Sequence, residues 1–377
     1  LKGEEKALSE IPPANLVFLL DVSGSMDEEN KLPLLKKSLK VLLEKLRPTD
    51  RVAIVVYAGA AGVVLPSTPC SEKEKIIDAF DDLSAGGSTA GGEGIELAYK
   101  IAKENYIEKG NKNEILATDG DFNIGQSSTD ELVRMIEKKR EQGVFLTVLG
   151  FGMYNLRDAM MEQLTNAGNG NYAYIDNILE AKKVLGDEMW RTLYTIAKDV
   201  KIQIEFNPGK VKAYRLIGYE NRMMRNEDFH DDTKDAGDIG AGHTVTALYE
   251  IIPAGSDEKV PGVDELNYQK SEIVESDDLM TFKLRYKQPD SDQSKLLEQK
   301  VKQSEIYVEQ PSDNFEFAAA VAQFGMLLRD SEYKGEADFK QVKKLAKQGQ
   351  ADDPFSYRSE FIRLVDIAEM LKEGNTD

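Results

Sequence analysis

The chain has 377 residues, with 48 Lys and Arg against 67 Asp and Glu, a formal net charge of −19 and 41% hydrophobic residues. That length exceeds one ordinary core, so two domains are expected, and the apolar content with only 12 prolines is that of a folded chain rather than a disordered one. The acidic balance argues against nucleic-acid binding, because nothing here neutralises a phosphate ladder, and it suits divalent cations and basic partners.

A single cysteine, Cys70, rules out an internal disulfide framework; it is expected to sit at a helix start as an inert residue. Two histidines, His230 and His243, leave little for imidazole chemistry or a His-rich zinc site. No apolar run approaches the roughly 20 residues needed to span a bilayer. The chain starts at Leu1 rather than Met, so removal of an upstream segment is an expectation, with a signal or lipid-anchor sequence as one candidate.

In chain order, short apolar runs predict strands at 15–20 (NLVFLL), 51–57, 113–118, 144–150 and 171–175. Between them, helical spacing predicts helices at 31–46, where Leu35, Leu39, Leu42 and Leu46 recur on one face, and at 71–82, 92–106, 129–142, 155–167 and 177–197. Strands apolar on both faces fit a parallel sheet covered by helices on each side, and the run at 62–65 adds one antiparallel hairpin. From about residue 197, the segments 200–206, 211–219, 243–252 and 279–287 alternate apolar and polar residues, as antiparallel strands with one wet face do. "NPG" at 207–209 reads as a turn between the first two, and the acidic connections 220–242 and 253–278 read as surface loops. Helices return at 314–330, apolar almost all round and so expected to be buried, and near 336–348 and 355–372. The fold class is therefore α/β, a doubly wound, mostly parallel Rossmann-like sheet followed by an antiparallel β-rich domain with C-terminal helices. Expected boundaries are an extension over 1–14, the α/β domain over 15–196, the β-rich domain over 197–312, and helices packed with the second half over 313–377.

Three strand exits are rich in oxygen ligands. The first, in "LVFLLDVSGSMDEEN" (16–30), gives Asp21, Ser23 and Ser25; the second, "LSAGGSTAGGEG" (83–94), gives Ser88 and Thr89; the third, "ATDGDFN" (117–123), gives Asp119, with Asp121 as a near competitor. In an open doubly wound sheet, ligands gather at the carboxyl ends of the strands, where strand order reverses. Hydroxyls and carboxylates without thiols or imidazoles select hard ions, so Mg²⁺, Mn²⁺ or Ca²⁺. Two carboxylates leave a divalent ion's charge barely met, and such an ion welcomes an acidic group from outside. The bland alternative, N-capping of helix 31–46 by Asp21 and the serines, would need a cap near 27–31 and leaves the other two loops unexplained.

The pattern Asp-x-Ser-x-Ser with a distant Thr and a distant Asp resembles the metal-ion-dependent adhesion site (MIDAS) of von Willebrand factor type A domains. That resemblance implies that Ser23, Ser25 and Thr89 touch the metal, that Asp21 and Asp119 ligate it directly or through water, and that a sixth position awaits an Asp or Glu of a protein partner. In integrin relatives a ligand-driven shift moves the final helix, here 177–197. The stretches "VKIQIEFNPGKVKAYRLIGYENR" and "FAAAVAQFGMLLR" look like the domain that follows the type A domain in a group of bacterial envelope proteins, often lipoproteins. A cell-envelope location is implied by that likeness, with a cytoplasmic one as the alternative. Membrane attachment is expected only through a removed N-terminal lipid anchor.

The expected function is thus metal-dependent binding of a protein partner, with no nucleotide and no bond broken. A scaffold or assembly factor whose second half carries the main interaction is the alternative, and a Mg²⁺-dependent hydrolase the third choice. A haloacid-dehalogenase-like phosphatase needs a second carboxylate two residues after the first, where this chain has Ser23. Serine hydrolysis lacks G-x-S-x-G, and Gly86, Gly87, Gly91 and Gly92 fit no phosphate-loop spacing. Asp27, Glu28 and Glu29 read as a solvated face rather than a second cation site. The loop 231–240 reads as solvated rather than calcium-binding, lacking the EF-hand spacing.

Overall fold

The computed structural model describes residues 1–374 except 8, 59, 88–90, 106–110, 121–128, 154–156, 190, 192–193, 261–272 and 306–309. In the first half, six strands form one sheet in the order β3-β2-β1-β4-β5-β6: β1 (Ala14–Asp21), β2 (Arg51–Tyr57), β3 (Ala61–Pro69), β4 (Asn111–Thr118), β5 (Phe145–Gly150) and β6 (Tyr172–Tyr174). All pairings are parallel except β2 with β3, the hairpin expected from the short run at 62–65. The order reverses between β1 and β4, and both strands end at that point.

The central strand β1 is buried at every position because its side chains alternate between two cores. Leu16, Phe18 and Leu20 meet α1 (Leu32–Leu43) and α2 (Lys73–Asp81), while Val17 and Leu19 meet α3 (Gly91–Glu104), α4 (Thr129–Arg140) and α5 (Asp158–Ala167). Leu35, Leu39 and Leu42 of α1 are fully buried, as their spacing predicts, each contributing about 2 kcal/mol of apolar burial. At Gly94 an added Cβ would stand 3.0 Å from both Leu19 and Tyr57, so glycine lets α3 lie directly on β1 and β2.

The helix expected over 177–197 is shorter. Asn177 caps it by accepting from the Leu179 and Glu180 amides, and α6 (Ile178–Ala181) continues as a π-helical stretch over Lys182–Glu188. By Thr195 the chain is already in strand β7 (Thr195–Phe206), where the β-branched pair Thr195 and Ile196 extends the alternation of "VKIQIEF" backwards.

The second half forms a four-stranded sheet, β12-β11-β7-β9, and a separate pair, β10-β8. The strands are β8 (Val211–Ile217), β9 (Gly237–Gly240), β10 (Leu248–Pro253), β11 (Asp278–Lys287) and β12 (Ser294–Lys302). The "NPG" turn forms, with Gly209 N donating to Asn207 Oδ1 at 2.9 Å, but the strands it joins lie in different sheets. Phe206 bridges them, 4.5 Å from Tyr214 and 5.6 Å from Tyr249 between ring centres.

Three helices follow, Asp313–Leu328, Phe339–Gln348 and Tyr357–Gly374, around a small core of Ala320, Leu327, Val342, Ala346 and Val365. The first is not buried all round: Phe315, Val321 and Leu328 are exposed, because its described partners cover only one side. Among the described residues, no helix is long and apolar enough to cross a membrane.

Candidate metal centre

Asp21 is the last residue of β1 and is wholly buried. Its Oδ1 accepts from Ser23 N at 2.9 Å, and its Oδ2 accepts from the Tyr57 hydroxyl at 3.2 Å and the Thr118 hydroxyl at 3.3 Å. A 3-10 turn over Gly24–Asp27, pinned by buried Met26, folds the chain back and sets Ser25 Oγ 3.1 Å from Ser23 Oγ. Neither serine caps a helix: Ser23 makes no side-chain capping bond, and the N-cap of α1 is Lys31.

The second loop docks on the first through backbone bonds, Gly86 N to Val22 O at 2.7 Å and Gly24 N to Gly87 O at 3.2 Å. Thr89, expected as a ligand in this loop, and Asp121 in the third lie outside the described residues. Asp119 follows β4 directly and is 1% exposed. The structure thus brings Asp21, Ser23, Ser25 and Asp119 to one sheet edge, at the reversal of strand order.

Sequence reasoning missed Lys31. Its Nζ donates to Asp119 Oδ2 at 3.2 Å, Ser25 O at 2.9 Å and Glu28 Oε1 at 3.2 Å, and the residue is 5% exposed. The only hint in sequence was a cation closing an acidic run. Tyr57 and Thr118 were also missed, since a tyrosine and a threonine at strand ends carry no signal until the strands are aligned.

Burial is the largest influence on the Asp21 carboxyl and raises its pKa; the hydrogen bonds from Ser23 and Tyr57 oppose that, and the charge of Asp119 adds to it. Burial draws the Lys31 ammonium down, but its bonds to Asp119 and Glu28 outweigh that and hold its pKa above the ordinary value. Asp21 and Asp119 are both buried at one edge, where each charge raises the cost of the other, and Lys31 bonds directly to only one of them. The donor set is all oxygen, so the residues fit a hard divalent ion. Among the described residues no three Asp, Glu, His or Cys converge on one point.

The other sequence candidates resolve differently. Asp27, Glu28 and Glu29 are exposed. Cys70 opens the 3-10 turn Cys70–Glu72, where burial first and then the Asp50 charge push its thiol up to about 12. The loop 231–240 is more than a solvated run: Asp232 pairs with Arg285, Asp235 pairs with Arg140, and β9 occupies its end. A cavity of about 580 Å³ lies beside it, lined from both halves by Asn169, Arg191, Arg222, Asp238 and His243, and it includes none of the four centre residues.

A doubly wound sheet carrying Asp-x-Ser-x-Ser at its central strand exit defines a von Willebrand factor type A fold. Residues 15–186 match the model of the von Willebrand factor type A domain, and residues 191–371 match that described as "Uncharacterized protein YfbK, C-terminal". The chain therefore carries a type A domain followed by a YfbK C-terminal domain. It is 45% identical over 371 residues to "Uncharacterized protein YfbK" of Escherichia coli (strain K12), an alignment covering 97% of this chain and 64% of that protein. It is 28% identical over 178 residues to inter-alpha-trypsin inhibitor heavy chain H3 of Bos taurus, covering 44% of this chain and 20% of that one. The chain spans less than two thirds of the length of either relative. Among solved structures, the von Willebrand factor type A protein from Catenulispora acidiphila shares the fold, with a TM-score of 0.50 at 18% identity over 94% of this chain and 82% of that one. The type A domain marks the first half as a protein-interaction module.

Proposed function

We propose that the type A domain captures an acidic side chain of a protein partner through a divalent ion, Mg²⁺ or its relatives Mn²⁺ and Ca²⁺, held by Asp21, Ser23, Ser25, Thr89 and Asp119. The observation that carries this reading is the pair of buried carboxylates, Asp21 and Asp119, set beside two serine hydroxyls at the switch point of the sheet. The ion would supply an electrophilic position for a carboxylate, since neutral hydroxyls add coordination without charge. The chain's own residues do the rest. Tyr57, Thr118 and the Ser23 amide orient Asp21, and the turn over Gly24–Asp27 presents Ser25. This reading needs no bond-breaking step.

Asp21→Ala and Thr89→Ala are expected to abolish Mg²⁺ binding in calorimetry while circular dichroism stays native. Undiminished binding by both variants would refute the assignment. A cell-envelope location belongs to the same proposal. A pull-down from the envelope fraction, with and without EDTA, should yield a partner lost both on chelation and in Asp21→Ala; a partner retained in both favours the scaffold reading. That second reading has its own support. The last helix exposes Leu364, Ile367, Met370 and Leu371, and its first residue, Tyr357, donates to Asp187 Oδ2 at 3.3 Å, tying it to the end of the type A domain.

A further inference from the structure

The centre already contains a cation of its own. Lys31 stands at the N-cap of α1, where a positive charge opposes the helix dipole and where Ser, Thr, Asp or Asn is preferred. Burying a lysine there also costs side-chain freedom and hydration. The surroundings are nonetheless built for it. An added Cβ on Gly152 would stand 2.5 Å from Lys31 Cε, and Gly152 has φ +81°, so the connection after β5 is shaped around the lysine stem. At the far end of that stem, Nζ reaches one oxygen from each of two metal-site loops, the Ser25 carbonyl and Asp119 Oδ2, and also Glu28 on its own turn.

We infer that Lys31 is the resident counter-ion of this centre, a positioning residue that holds the Ser25 and Asp119 loops together without metal and weakens the affinity for a divalent ion when one binds. The inference rests on the metal-dependent reading above. Lys31 cancels one of the two carboxylate charges that an incoming ion would meet, and its ammonium is held on an oxygen of Asp119, itself an expected ligand. Two like-charged groups sharing one carboxylate repel strongly at this burial. The ion is therefore held loosely, and a carboxylate offered by a partner restores the missing negative charge. Metal retention becomes linked to partner capture.

The test titrates Mg²⁺ alone into the wild-type chain, Lys31→Met and Lys31→Gln by calorimetry, with melting curves in EDTA and at saturating Mg²⁺. Lys31→Gln serves if the methionine variant folds poorly, because it keeps a donor for Ser25 O without the charge. Both variants are expected to bind at least about tenfold more tightly. In EDTA they should melt below wild type, and Mg²⁺ should raise their midpoints by more than it raises that of wild type. A silent wild type beside binding variants supports the inference in its strongest form. Equal or weaker binding by the variants, with wild type binding, overturns it. If none of the three binds Mg²⁺, the metal reading itself has failed and the inference falls with it.

Discussion

Asp50→Ala is expected to cost about 3–5 kcal/mol, the loss typical when one partner of a buried ion pair is removed and the other stays behind. Asp50 is fully buried at the start of β2 and accepts from Ala14 N at 2.8 Å, Arg47 N at 2.7 Å, Arg47 Nε at 3.1 Å and Arg47 Nη2 at 2.8 Å. Arg47 in turn donates to the Ile11 and Pro12 carbonyls, so one carboxylate joins the entry to β1, the turn after α1 and the start of β2. Alanine would remove the carboxylate from a guanidinium only 18% exposed and take the acceptor from two amides, those of Ala14 and Arg47. The consequence reaches the candidate centre through register. β1 and β2 run in step from Asn15 against Arg51 to Asp21 against Tyr57, so a clamp at one end sets the Asp21–Tyr57 bond at the other. Asp50→Asn keeps the acceptor shape and should lose roughly half as much. Urea unfolding followed by circular dichroism measures both; a change under about 1 kcal/mol for alanine would show that the clamp is dispensable.

Neither that clamp nor Lys31 could be read from the sequence, and the reason is the same for both. Each is a charged residue in a polar stretch, indistinguishable from a solvated one until the chain folds back on itself. The first-half sheet was legible because parallel strands buried on both faces are unbroken apolar runs. The centre was legible in part for the same reason, since an Asp at the end of such a run stands out. In the second half the signal weakens with burial. β12 is exposed along most of its length and carries three lysines, as edge strands do, so it shows no one-sided alternation. β9 is four residues with glycine at each end. The helix over Asp313–Leu328 shows the opposite error, because apolar composition describes what a helix offers and not how many neighbours accept it.

Glu114→Gln is expected to stabilise the chain by an amount that grows with pH. Glu114 lies in β4, five residues before Asp119, fully buried with both carboxyl oxygens unpartnered among the described residues. The Tyr99 hydroxyl, whose pKa burial raises first and a charge on Glu114 would raise further, is likewise unpartnered among the described residues. Burial pushes the carboxyl well above its usual 4.5, and the charge of Lys139 only partly opposes this. Below pH 4.5 the group is protonated in both states and the wild type suffers no ionisation penalty. As pH rises, the unfolded chain releases the proton while the folded chain retains it. Wild-type stability then falls by about 1.4 kcal/mol per pH unit until the folded carboxyl itself ionises. Glutamine has no proton to release, so the variant's advantage should open above pH 4.5 and widen upwards. Other titrating groups, Asp21 included, are common to both chains and cancel in the difference. Urea midpoints for the two proteins at half-unit steps from pH 4.5 to 7.5 give the result, and parallel curves would mean that Glu114 reaches water or a partner that the fold does not show.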